Sequence, residues 1–205
     1  MINEKQFFRH IGSDIYQEDP FYLVQNVILG AYLCTMIDGQ LTAIKITEAE
    51  VYIGGEDKAA HTYQFRKTNR TAIQFKEGGY AYTFLVYGMH HQFCITTSPA
   101  GQPDTILIRS GEPIIGIDCM QKRRKTSPLK NLTNGPGKLC QALGITKQHN
   151  GEPLTGDTIW LSPKQEEIVA NDIIQTPRIG IDYAGEYRDK PWRFILKDSP
   201  YLSHP

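Results

Sequence analysis

Two runs of alternating side chains, 31–37 and 41–52, meet at Asp38-Gly39. A two-residue turn between twisted strands needs positive φ at both central positions, and Asp-Gly supplies it, so these runs predict an antiparallel hairpin. The same style of connection recurs downstream. An aromatic strand is expected over 80–87, a turn at Gly88-Met89-His90, and further strands over 92–97 and 104–110, with two more at 158–161 and 192–196. Helical signals are fewer. Pro20 precedes an apolar stretch, 21–29, that ends at Gly30; 69–76 reads as a short helix stopped by Gly78-Gly79. An amphipathic helix with a basic end is expected over 114–125, and Gly135-Pro136-Gly137 opens another over 138–143. Hairpins therefore outnumber crossover helices, which predicts an α+β domain on a largely antiparallel sheet. No internal repeat or Pro/Ser-rich linker divides the 205 residues, so one domain over 1–205 is expected.

Charge needs to be read by segment. Lys and Arg total 22 against 22 Asp and Glu, a formal net charge of zero, which taken whole argues against a nucleic-acid partner. Yet residues 58–147 carry nine more basic than acidic side chains, and the two flanks together carry nine fewer. Such blocks fit either solvated faces or an anion-binding face. The cysteines Cys34, Cys94, Cys119 and Cys140 form no C-x-x-C pair and have no histidine at ligand spacing, so neither a metal site nor a disulfide framework is expected. No signal peptide or membrane span is read from the chain, and an intracellular protein is expected.

Strict alternation along 41–52 would place Ile44, Ile46, Glu48, Glu50 and Tyr52 on one face. Two carboxylates with apolar neighbours are disposed toward raised pKa values, as a general acid or base near neutrality requires; an ion-paired or solvated pair is the plainer alternative. His61 follows through the flexible Gly54-Gly55 turn. Tyr52, His61, Tyr80, Tyr82, Phe84 and Tyr87 are interleaved with Arg66, Lys67 and Arg70, a mixture suited to stacking on bases and neutralising phosphates, though an aromatic strand can equally be core. Tyr87 stands apart at the turn tip, where a bulky apolar group is costly unless it meets something. The helix opening at Gly135, Gly137 and Lys138 offers N–H groups to an anion but lacks the Walker pattern.

In order along about residues 20–200, the motifs Glu48-Ala49-Glu50-Val51-Tyr52-Ile53-Gly54, Glu56-Asp57-Lys58-Ala59-Ala60-His61, Tyr87-Gly88-Met89, the stretch from Gly135-Pro136-Gly137-Lys138 to Leu143, Pro177-Arg178-Ile179-Gly180 and Ala184-Gly185-Glu186 resemble the alkyladenine (3-methyladenine) DNA glycosylase family. The resemblance implies a curved sheet with a protruding hairpin and a monofunctional base-excision-repair enzyme. Such an enzyme flips damaged purines of the 3-methyladenine, 7-methylguanine, hypoxanthine and ethenoadenine class from double-stranded DNA and hydrolyses the N-glycosidic bond. No metal or other cofactor is implied; a monomer is expected, located in the cytoplasm and nucleoid of a bacterium or the nucleus of a eukaryote. Carried over, Glu50 is the general base and Arg109 helps hold the water and the phosphate side of the nucleotide. Tyr52 and His61 stack on the base, the backbone at Ala60 and His61 reads its edge, Leu107 lines the pocket, and Tyr87, with Met89 and His90, enters the groove.

Three positions depart from the family pattern. Phe84 stands where a tyrosine is usual, His90 where another aromatic often follows the wedge, and Cys94 where an asparagine is expected to exclude guanine. A thiol is smaller and a weak hydrogen-bonding group, so looser discrimination against guanine-derived bases is expected. From the residues alone, two other readings stay open: a carbohydrate hydrolase using Glu48 and Glu50 as its pair, and a nucleic-acid-binding module without catalysis.

Overall fold

The computed structural model describes residue 7 and residues 9–204. Eight strands form one sheet in which every pairing is antiparallel: β1 (Tyr32–Ile37), β2 (Gln40–Tyr52), β3 (Ala81–Val86), β4 (His90–Thr97), β5 (Asp104–Ile115), β6 (Ile159–Ser162), β7 (Ile173–Thr176) and β8 (Arg193–Leu196). The main path runs β3-β4-β5-β2-β1-β6, while β8 pairs with the second half of β2 and carries β7 beside it. With few helices, this is the α+β architecture that the hairpin signals predict. Asp38 and Gly39 take φ of 56° and 68°, and Ile37 faces Gln40 across the turn.

Helical segments differ more from expectation. Asp19 caps α1 (Pro20–Leu23) by accepting from the N–H groups of Phe21 and Tyr22, each at 2.9 Å. The α-helix then widens into a π-helical turn, Val24–Ile28, instead of continuing to Leu29. The expected 69–76 helix is reduced to a 3-10 turn, Ala72–Phe75. The 114–125 helix begins late because β5 keeps its pairing with β2 as far as Ile115; Gly116 turns the chain at φ 73°, where a Cβ would collide with the Leu41 carbonyl. Helix α2 (Ile117–Arg124) buries only Met120, so it is polar rather than amphipathic. Its basic end is largely spent internally: Arg123 donates to the Ala142 and Ile37 carbonyls, and Arg124 to those of Leu132 and Asn131. The bond from Arg123 to Ala142 tethers α2 to the end of α3 (Pro136–Leu143), whose Leu139 and Leu143 are fully buried. Truncating either to Ala costs about 2–5 kcal/mol.

The main correction lies in β2. Its register against β5 shifts between Ile46 and Glu48 and again between Glu48 and Ala49. Thr47 is the extra residue on β2, and Arg109 is the extra residue on β5. Adjacent bulges let two successive side chains emerge on one side of each strand, Thr47 with Glu48 and Arg109 with Ser110. Strict alternation therefore fails: Ile44 and Ile46 join Ala49 and Val51 in the apolar core, and Glu48, Glu50 and Tyr52 face the other way. The neighbours Ile106 and Ile108 of β5 complete that core, while Leu107 and Arg109 stand on the polar side.

Candidate active site

A cleft of about 450 Å³ opens on the polar side of β2, β4 and β5. Tyr52, Leu107, Arg109 and Cys94 form its base, Ala60, His61 and Phe84 one wall, and Ile179 and Gly180 lie opposite in the loop before the 3-10 turn Asp182–Tyr187. Tyr87 and Tyr183 stand at its mouth, 90% and 71% exposed.

Glu50 is fully buried beneath this base, and all three of its donors line the cleft. Tyr52 donates its hydroxyl to Oε2 at 2.8 Å, Arg109 donates Nη1 to the same oxygen at 3.1 Å, and the Ile179 N–H reaches Oε1 at 2.8 Å. A carboxylate offers about four lone-pair sites, so one acceptor position on Oε1 remains open. Glu48, two residues earlier and also fully buried, is differently placed. Its Oε1 accepts from Arg109 Nε (2.9 Å), Arg193 Nε (2.7 Å) and Ser203 Oγ (2.7 Å), and its Oε2 from Ser110 Oγ (3.0 Å) and the Ser203 N–H (2.6 Å). Burial alone would raise the Glu48 carboxyl, but the Ser203 hydrogen bonds and the guanidinium groups of Arg109 and Arg193 hold it below the ordinary carboxylate range. The raised pKa expected for an apolar carboxylate pair does not apply to Glu48, and with every acceptor position filled it is no free partner acid for a carbohydrate hydrolase. Arg109 is the link: burial would lower its pKa, yet Glu50 and Glu48 together raise it and keep it charged.

Tyr52 is braced from behind. The Arg178 guanidinium lies 4.5 Å from the Tyr52 ring centre and 4.9 Å from that of Trp192, and it pairs with Asp57 through both terminal nitrogens. Arg178 also donates to the Val51 carbonyl at 2.9 Å. Burial and the neighbouring Glu50 push the Tyr52 hydroxyl well above its ordinary value, so it remains a donor. Asp57 and Arg178 both fall within motifs visible in the sequence, but 121 residues separate them and nothing in either motif announces the pair.

His61 hydrogen-bonds through Nδ1 with the Tyr82 hydroxyl at 2.8 Å and packs edge-on against Phe84, ring centres 4.6 Å apart. Burial, aided by the charge on Arg70, lowers its pKa to about 4, leaving a neutral imidazole at pH 7. Cys94 pairs with Leu107 across β4 and β5, and burial pushes its thiol well up, so it presents a small neutral group to the cleft.

The remaining sequence-predicted residues lie at the rim. Met89 is 69% exposed beside Tyr87 at the hairpin tip, where Tyr87 takes φ 53°. His90 opens β4 and lies against Gly137, where a Cβ would meet the His90 Cβ at 3.2 Å. Gly135 precedes α3, Pro136 touches the cleft, and Lys138 donates to the Asn134 side chain at 3.0 Å. Glu50, Arg109, Tyr52, Ala60, His61, Phe84, Cys94, Leu107 and Tyr87 are thus gathered at one cleft; Met89, His90, Gly135, Gly137 and Lys138 flank it. Sequence reasoning missed Glu48's saturation, the Asp57–Arg178 brace, Ile179 and Ser203. Among the described residues no cluster of His, Cys, Asp and Glu could hold a metal ion, and no helix is long and apolar enough to cross a membrane.

The family profile described as Methylpurine-DNA glycosylase matches residues 14–200. A relative from Desulfitobacterium hafniense (strain Y51), provisionally named a 3-methyladenine DNA glycosylase, is 40% identical over 203 residues, covering 95% of this chain and 98% of its own. A relative from Chlamydia felis with the same provisional name is 46% identical over 186 residues, covering 90% and 94%. Another, from Bacillus cereus, is 46% identical over 197 residues, covering 92% and 96%. With a matching profile over most of its length and such relatives at full span, the chain belongs to the methylpurine-DNA glycosylase family.

Proposed function

We propose that this enzyme excises damaged purines, of the 3-methyladenine, 7-methylguanine, hypoxanthine and ethenoadenine class, from duplex DNA by base flipping and Glu50-directed hydrolysis. The observation that carries the reading is the unequal filling of two adjacent buried carboxylates: Glu48 has no acceptor position left, whereas Glu50 keeps one, directly under the cleft. A water held there donates its proton to Glu50 as its oxygen bonds to C1′, and the N-glycosidic bond breaks with its electron pair passing to the purine. A cationic alkylated purine leaves neutral, whereas a neutral base such as hypoxanthine or ethenoadenine leaves as an anion that takes up a proton from solvent. Positive charge that develops on the sugar is stabilised by the Glu50 carboxylate, with Arg109 and Tyr52 holding its orientation.

The walls suit such a base. His61 is neutral at pH 7 and so does not repel a cation, and with Tyr52 it offers aromatic surface for stacking. Extruding a nucleotide costs a few kcal/mol, and damaged bases cost least; Tyr87, with Met89 and His90 beside it, fills the gap left in the stack. Lys138 and the amides at Gly135 and Gly137 meet the backbone.

Release of hypoxanthine or 3-methyladenine from a lesion-containing duplex tests the proposal. Wild-type enzyme is expected to release the base and leave an abasic site, and Glu50→Gln to lose roughly 10²–10⁴-fold in rate. Undiminished release by Glu50→Gln removes Glu50 from the mechanism; binding without release by wild type leaves a binding module only.

A further inference from the structure

The segment after β8 returns across the polar side of β2. Thr47 Oγ1 donates to the Tyr201 carbonyl at 2.6 Å, Ser110 Oγ lies 2.8 Å from the same oxygen, and Arg193 donates Nη2 to the His204 carbonyl at 2.6 Å. Between these anchors Ser203 touches both charges that stand behind Glu50. Its hydroxyl donates to Glu48 Oε1 at 2.7 Å and accepts from Arg109 Nε at 3.2 Å, while its N–H donates to Glu48 Oε2 at 2.6 Å. Arg109 in turn spans Glu48 through Nε and Glu50 through Nη1. Since a guanidinium is planar and rigid, the angle at which its Nε edge is held sets where Nη1 points.

We propose that Ser203 is a positioning residue for base excision: its hydroxyl bridges Glu48 and Arg109 and so fixes the direction from which Arg109 meets Glu50. The inference rests on Glu50 being the general base. The bulges at Thr47 and Arg109 make the arrangement possible, because they bring Glu48 and Ser110 to the same side as Glu50 and Arg109. Ser203→Ala removes the bridge while leaving the backbone N–H, the Tyr201 and His204 anchors and the half-buried position itself in place. Misplacement of a catalytic group by a fraction of an ångström slows chemistry without weakening binding.

The test is single-turnover excision of hypoxanthine from a duplex, with lesion-duplex affinity measured alongside, for wild type, Ser203→Ala, Ser203→Thr, Glu48→Gln, Ser203→Ala/Glu48→Gln and Glu50→Gln. Ser203→Ala is expected to slow the chemical step about 10-fold, about 1.4 kcal/mol in the barrier, with affinity within about 2-fold of wild type. Ser203→Thr, which keeps the hydroxyl, is expected to recover most of the rate. The double variant is expected to be no slower than Glu48→Gln alone, because the two changes act on one linkage. A wild-type rate in Ser203→Ala, a loss found entirely in affinity, no recovery by Ser203→Thr, or independent losses in the double variant each overturn the inference. Should Glu48→Gln fail to fold, the Ser203→Ala and Ser203→Thr pair still decides it. Full activity in Glu50→Gln overturns the underlying reading instead, so the two failures are distinguishable.

Discussion

Glu50 and Tyr87 belong to the same cleft and are built in contrasting ways. Glu50 is inaccessible and held by three donors drawn from β2, β5 and the loop at Ile179. Tyr87 is 90% exposed at a two-strand tip, with a positive φ that a tyrosine seldom adopts. The floor is thus shaped before any ligand arrives, as preorganised electrostatics requires. The rim carries the exposed side chains of Tyr87 and Met89. Chemistry and recognition are accordingly expected to fail separately when each is damaged.

The largest effect is expected at the brace under the floor. Asp57→Ala leaves Arg178 buried without its carboxylate, and breaking such a pair costs about 3–5 kcal/mol. Urea unfolding should show the loss, and a midpoint close to wild type would mean that the floor is less rigidly built than its hydrogen bonds suggest. At the rim, Tyr87→Ala should leave unfolding unchanged but weaken lesion-duplex binding by about 1–3 kcal/mol, with much less effect on excision from unstacked substrate. Unaltered binding would remove the wedge role and with it the division between floor and rim.

His61 gives a pH test of the wall. In the unfolded chain an imidazole titrates near 6.5, but in the fold it does so at about 4. As pH falls from about 6.5 toward 4 the unfolded chain takes up a proton that the folded protein refuses, so stability declines over that window and the contribution is exhausted below it. His61→Gln should therefore lose less stability between pH 7 and pH 4.5 than wild type; equal losses would mean that the imidazole is not held neutral. The smallest expected effect is a change of selectivity. Cys94→Asn should alter the ratio of hypoxanthine, 3-methyladenine and 7-methylguanine excision a few-fold, and identical ratios would show that position 94 does not read the base.

Local chemistry was the legible part of the fold. Asp38-Gly39 specifies its turn through two adjacent positive φ values, and Tyr87-Gly88-Met89 marks the second tip; both are read from neighbours in the chain. What failed depended on partners distant in sequence. The extent of β5 past Ser110 is set by pairing with β2, and the start of α2 follows from it. The parity of β2 depends on insertions relative to β5 that no single strand reveals. Glu50, Tyr52, His61 and Tyr87 were nameable because they sit in distinctive motifs, and Arg109 and Leu107 only through the family resemblance. The Glu48–Ser203 and Asp57–Arg178 contacts close loops of 155 and 121 residues, which periodicity does not encode.

The bulge at Thr47 has a consequence like that of an inserted letter in a reading frame. Upstream of it the even-numbered side chains of β2 point into the core; downstream the odd-numbered ones do. Straightening that bulge with every residue kept would leave the composition of the strand intact, yet it would send the two carboxylates to the side of Ile44 and Ile46 and turn Ala49 and Val51 outward. Deleting Thr47, by contrast, would restore strict alternation with Glu48 and Glu50 still on the cleft side. One threonine with no catalytic role of its own thus sets the frame in which Glu50 is read.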